Sequence, residues 1–100
     1  MMFILELVYK ADLAAIDAAM KDHMAFVRTH YASGAFVISG RKVPRDGGII
    51  IAVGDDRAAI EAIASADPFV TRGLADVRVT EFRASQHARN VQELVEKHGS

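Results

Sequence analysis

The stretch FVISGRKVPRDGGIIIAV, residues 36–53, decides the fold, because it holds two runs of β-forming residues around a turn. Phe36 to Arg41 reads as one strand and Ile49 to Val53 as its antiparallel partner. Pro44-Arg45-Asp46-Gly47-Gly48 supplies the reversal: proline fixes its own backbone dihedral, and Asp-Gly tolerates the positive φ that a tight hairpin needs. Outward from this hairpin, each side offers a helix and then a strand. Toward the N-terminus, Leu13, Ile16, Met20, Val27 and Tyr31 recur at helical spacing behind Asp12, a capping residue, and Gly34 closes the segment. Phe3 to Tyr9 precedes it as a short β-rich run. Toward the C-terminus, Gly54-Asp55-Asp56 opens a second helix whose stripe is Ala59, Ile60, Ile63 and Ala64. Asp67-Pro68-Phe69 and Gly73 follow, then a last strand from Leu74 to Phe82.

The order β-α-β-β-α-β, with right-handed crossovers, predicts an α+β ferredoxin-like sandwich: one antiparallel sheet covered on one face by two helices. Residues 1–84 form this domain, and residues 85–100 form a polar tail with a helical stripe of Val91, Leu94 and Val95. Asn90 and Glu93 are spaced as a capping box for that tail helix. The uncovered sheet face is not polar. The first strand sets Phe3, Leu5, Leu7 and Tyr9 against Ile4 and Val8, and the third sets Ile49, Ile51 and Val53 against Ile50 and Ala52. Half-solvated antiparallel strands alternate apolar with polar residues, so this pattern predicts a homodimer whose facing sheets enclose a small cavity or form a barrel.

Composition points the same way. The chain has 100 residues, 51% of them hydrophobic, and a domain of this size buries only roughly 65% of the surface its unfolded form exposes. Twelve Lys and Arg against 13 Asp and Glu give a net charge of −1, which leaves no electrostatic footprint for nucleic acid or an anionic membrane. There is no cysteine, which excludes disulfides, thiolate chemistry and Cys-bound zinc. MMFILELVYK lacks a basic lead and a small-residue cleavage site, so it reads as a strand rather than a signal peptide, and a cytoplasmic soluble protein is the expectation.

His23 stands out because it interrupts the apolar stripe of the first helix, three residues after Met20 and four before Val27. Histidine changes charge near neutral pH, so at this position it is either a structural ring bonded to a carbonyl or a general acid–base. The second role needs a partner, and Asp67 is the candidate. Asp before Pro caps a helical turn, which fixes one carboxylate oxygen and leaves the other free to orient an imidazole. Ser39, mid-strand and without a nucleophile elbow, suits a hydrogen bond to substrate better than nucleophilic attack. Arg41, Lys42 and Arg45 form a basic cluster that either pairs with a substrate carboxylate or decorates a solvated hairpin. A metal site is not expected: His23 and His30 are seven residues apart, about 10.5 Å along a helix, and His87 and His98 lack ligand spacing.

With these residues in hand, the chain resembles the YCII-related family of small bacterial proteins. The resemblance runs from Phe3 to about Phe82. It rests on His23 with Phe26, on YASGAFVISG at residues 31–40, on PRDGGII at residues 44–50, on Asp67-Pro68-Phe69 before Gly73-Leu74-Ala75-Asp76, and on Glu81-Phe82. It implies a subunit of a dimeric α/β barrel with a histidine–aspartate active-site pair on His23 and Asp67, and Ser39 nearby. It further implies kinship with muconolactone isomerases, with heme-dependent or cofactor-free monooxygenases, and with dehydrochlorinases of aromatic degradation. Two positions depart from the family pattern: Met20 stands where many members carry arginine, and Arg41 where many carry proline.

These readings converge on a cofactor-free enzyme that moves a proton next to a carbonyl or phenol, giving isomerisation or elimination. His23 acts as base or acid, Asp67 orients it, and Ser39 contacts substrate in a small apolar pocket walled by Phe36, Ile38 and Phe69, with Arg41 in the lining. The alternative is a dimer that binds a small ligand, or is purely structural, without turnover.

Overall fold

Asp12 accepts a hydrogen bond from the Ala15 amide at 2.9 Å and so starts the long first helix. In the computed structural model, which describes residues 1–99, that helix is α1, Leu13–Ala32, and it follows strand β1, Met2–Tyr9. Next come β2 (Phe36–Arg41), β3 (Gly47–Val53), α2 (Arg57–Ser65), the single turn α3 (Pro68–Thr71), β4 (Ala75–Phe82) and α4 (Val91–His98). Gly34, at φ +87°, ends α1 in the left-handed conformation that glycine adopts without strain. The strands form one antiparallel sheet in the order β2-β3-β1-β4, the ferredoxin-like arrangement.

Register sorts the side chains onto two faces. Leu5 lies opposite Ile50 and Val79, and Phe3, Leu5, Leu7, Ile50 and Ala52 are buried in the core with Ile16, Ala19 and Val27 of α1 and Ile60 and Ala64 of α2. Ile4 lies opposite Ile51 on the other face, where Ile49 and Val53 are only partly covered. On β4 that face is polar, since Asp76, Arg78 and Thr80 alternate with Ala75, Val77 and Val79. The open face is therefore apolar over β3 and over β1 except at Glu6, and charged along the β4 edge.

Four expectations need correction. Phe36 and Ile38, two apart in sequence, do not share a face: an irregularity between them sets Phe36 opposite Ala52 and Ile38 opposite Ile51. An extra residue in a strand reverses the alternation that follows it. Leu13 and Tyr31, the ends of the predicted stripe, are exposed rather than buried, and Tyr31 turns its hydroxyl to Ser39 Oγ. Asn90 makes no side-chain cap for α4, which buries none of its residues, so nothing holds the box geometry. Gly47 is not a positive-φ turn residue; it lies within β3, and the positive-φ glycines are Gly34 and Gly73.

Gly47 is needed for close approach instead. A Cβ there would sit 1.9 Å from the Leu7 carbonyl oxygen, whereas one at Gly40 would meet nothing within 4 Å. Gly47→Ala is expected to destabilise the fold by about 1–3 kcal/mol or more, since backbone must move. Gly40→Ala is expected to be neutral or slightly stabilising. Urea denaturation of the two variants checks this, and equal midpoints would refute it. Among the described residues no helix is long and apolar enough to cross a membrane.

Candidate active site

Asp67 is the buried charged side chain of this core, only 1% exposed. Its position follows from local chemistry: Asp67 caps α3, with Oδ1 accepting the Phe69 amide at 2.9 Å and Pro68 in the first turn. The turn lies against α1, where His23 Nδ1 stands 2.9 Å from Oδ1 and 3.0 Å from Oδ2 of Asp67. A carboxylate only accepts, so Nδ1 donates and the neutral ring keeps its free lone pair on Nε2. Among the described residues Nε2 makes no hydrogen bond. Phe69 fixes the ring from one side, stacked on it with centroids 4.0 Å apart and planes 6° from parallel.

The other side of His23 borders a cavity of about 310 Å³ between α1 and the strands. Its walls are apolar, with Leu7, Met20, Met24, Val27, Ile49 and Ile50 contributing. Polar groups enter at a few points: His23 from α1, Ser39 and Arg41 from β2, Tyr9 from β1 and Arg45 from the β2–β3 turn. A volume of this order, with few convergent polar groups, matches a ring-sized ligand.

The structure brings some of the predicted site residues together and separates others. His23 and Asp67 are bonded, and Arg41 and Ser39 line the same cavity. Ser39 Oγ is engaged with the Tyr31 hydroxyl at 2.7 Å rather than with His23, so no Ser-His-Asp relay is assembled. Phe36 is not a cavity wall. It is buried in the core against Phe26 and Tyr31, and the irregularity in β2 turns Ile38 onto the open sheet face, where it lines a groove with Ile49 and Ile51. Phe69 acts from behind the imidazole.

Tyr9 and the fixed position of Arg45 were not anticipated. Arg45 Nη2 hydrogen-bonds Asp17 Oδ1 of α1, and its guanidinium lies beside the Tyr9 hydroxyl. Burial raises the Tyr9 pKa above the usual phenol value, with Arg45 opposing, so the hydroxyl stays protonated at neutral pH. The Arg45 guanidinium holds the Asp17 carboxyl below its ordinary value. A polar-tipped ring at the end of the Phe3-Leu5-Leu7-Tyr9 register was the available signal.

Comparison with known proteins adds a family and a fold. A family model described as the YCII-related domain matches residues 1–83. None of the curated proteins matches the chain. Among solved structures it is similar to 5-chloro-2-hydroxyhydroquinone dehydrochlorinase from Burkholderia phenoliruptrix, in complex with 2,5-dihydroxybenzoquinone. The TM-score is 0.73 at 16% identity, over 85% of this chain and 96% of that one. A variant of SnoaB, a cofactor-independent oxygenase from Streptomyces nogalater, is similar with a TM-score of 0.50 at 18% identity, over 89% of this chain and 96% of that one. At these identities the similarity is one of fold.

Proposed function

The chain belongs to the YCII-related family, and on that premise we propose that it is a small-molecule enzyme working by general acid–base catalysis. The observation that carries the reading is the His23–Asp67 pair, with Nδ1 tied to a buried carboxylate and the ring edging an apolar cavity. His23 Nε2 takes a proton from a carbon or hydroxyl of the substrate, and the electron pair left behind moves into its carbonyl or phenol system. Asp67 stabilises the imidazolium. Returning the proton to another carbon gives isomerisation; loss of a halide, with the proton carried off by His23, gives elimination. The fold shared with a dehydrochlorinase of a chlorinated ring compound supports the second outcome. Ser39 and Arg41 are the polar contacts for substrate, and the pair moves the proton without a cofactor.

The test is direct. Halogenated hydroxyhydroquinones and unsaturated lactones are incubated with the protein in D2O, with deuterium incorporation and halide release followed by NMR and ion chromatography. Catalysed exchange or release in one of these classes is expected; neither, across both, would overturn the proposal.

The same reading includes pairing of two subunits through the open sheet face, where Ile4, Ile49, Ile51 and Val53 are incompletely covered. A specific interface there buries more than ~1,000 Å² and is apolar at its centre. Sedimentation at micromolar concentration is expected to give a dimer, and Ile51→Lys a monomer, because an unpaired charge at the centre of an interface is not compensated. A monomeric wild-type protein would refute the pairing.

A further inference from the structure

The cavity wall carries two arginines and a histidine but no carboxylate. We infer that Arg45, held by Asp17 beside the Tyr9 hydroxyl, is the anion-recognition group of this cavity. The ligand is then a ring compound bearing an anionic oxygen: a carboxylate, a phenolate or an enolate. The inference deepens the proton-transfer reading of the same cavity and rests on it for the role of the anion.

The two arginines differ in how they are placed. Arg41 has no ion-pair partner among the described residues and borders both the cavity and the groove on the open face, so its charge is shared between two surfaces. Arg45 is fixed. Its side chain is 28% exposed while its partner Asp17 is 58% exposed, so Asp17 grips the guanidinium from the solvent side. A guanidinium has five N–H donors, and Asp17 uses one of them through Nη2. Another faces the Tyr9 oxygen, and the rest remain for an oxygen ligand, in a wall made largely of aliphatic, methionine and glycine residues where charge is poorly screened.

Tyr9 adds a second donor and ties this end of the cavity to His23. Its ring meets Phe69 edge-on at 5.8 Å and 83°, and Phe69 stacks on His23. Its amide donates to the Asp46 carbonyl at 2.9 Å, which anchors the end of β1 to the turn that carries Arg45. Burial keeps the phenol protonated, so its O–H stays available to donate to a ligand while its oxygen faces the Arg45 guanidinium. When His23 takes a proton from carbon, the electron pair passes to the adjacent oxygen of the substrate, and donors already in place stabilise that charge.

Benzoate and benzamide, equal in shape and different in charge, test this by equilibrium binding to the full chain, followed by NMR of the backbone amides. The wild-type protein is expected to prefer benzoate by about tenfold or more, the range of a charge-assisted hydrogen bond. Arg45→Gln reduces the preference to within about twofold, and Tyr9→Phe, which keeps the ring against Phe69, weakens benzoate alone by about threefold or more. Lys42→Gln removes a neighbouring charge that is engaged by Glu6 at 2.8 Å, and keeps the preference. Equal affinities in the wild type, a preference that survives Arg45→Gln, or one lost in Lys42→Gln overturns the inference. If Arg45→Gln does not fold, unchanged benzoate affinity in Tyr9→Phe overturns it. Binding needs no turnover, so failure of the acid–base reading leaves this preference intact and shows instead as absent exchange in D2O.

Discussion

His23→Gln is expected to slow deuterium exchange or halide release by about 100- to 10,000-fold, the contribution of a positioned general base. Melting temperature should change little. The imidazole is partly exposed, its hydrogen bonds run to Asp67 alone, and a glutamine amide can donate to the same carboxylate. Asp67→Asn reaches the same loss by another route. Its carbonyl oxygen still caps α3, while its NH2 group donates to Nδ1 and moves the ring proton to Nε2, which removes the free lone pair. A His23→Gln protein that melts much earlier yet exchanges at the wild-type rate would assign His23 a structural role instead.

Phe69→Ala is expected to destabilise the fold by about 3–5 kcal/mol, the range for a buried phenylalanine cut back to alanine. Phe69 is 1% exposed, is among the largest fully buried side chains and packs on both His23 and Tyr9. Set against about 5–15 kcal/mol for a whole domain, that loss lowers the melting temperature by roughly 15–30 °C. Phe69→Leu fills most of the space and is expected to cost about 1.5 kcal/mol or less, while releasing the imidazole from its stack. Differential scanning calorimetry separates the two. Equal effects of Ala and Leu would mean that the stack, rather than the volume, holds this part of the core.

The fold was legible because the elements follow the order β-α-β-β-α-β, and because Asp12, Gly34 and Asp67-Pro68 are helix punctuation with local causes. The proximity of α3 to α1 was legible only as a condition, because no spacing along the chain states that residues 23 and 67 meet. Phe36 and Ile38 were placed on one wall by the two-residue period of a regular strand. What defeats it is an irregularity in an edge strand, set by how β2 meets β3 rather than by β2 itself. Arg45 read only as one of a basic cluster, for a substrate carboxylate or a solvated hairpin, since its anchors lie far away in sequence, Asp17 on α1 and Tyr9 on β1. Gly47 looked like a turn residue because Asp-Gly is a turn signal, and the Leu7 carbonyl that constrains it comes from another strand.

Asp67 holds two duties that natural selection can separate. A lineage that abandoned the chemistry would still need an oxygen acceptor at this position for the Phe69 amide, and asparagine or serine would meet that need. Only an acidic residue serves both the turn and the imidazole. His23 has no second duty of this kind, so it is free to drift once the reaction stops mattering. Among descendants of this chain, an acid retained at 67 is therefore weak testimony to a working enzyme. Joint retention of His23 and Asp67, and joint decay to a non-titrating pair, is the inheritance pattern that tracks use.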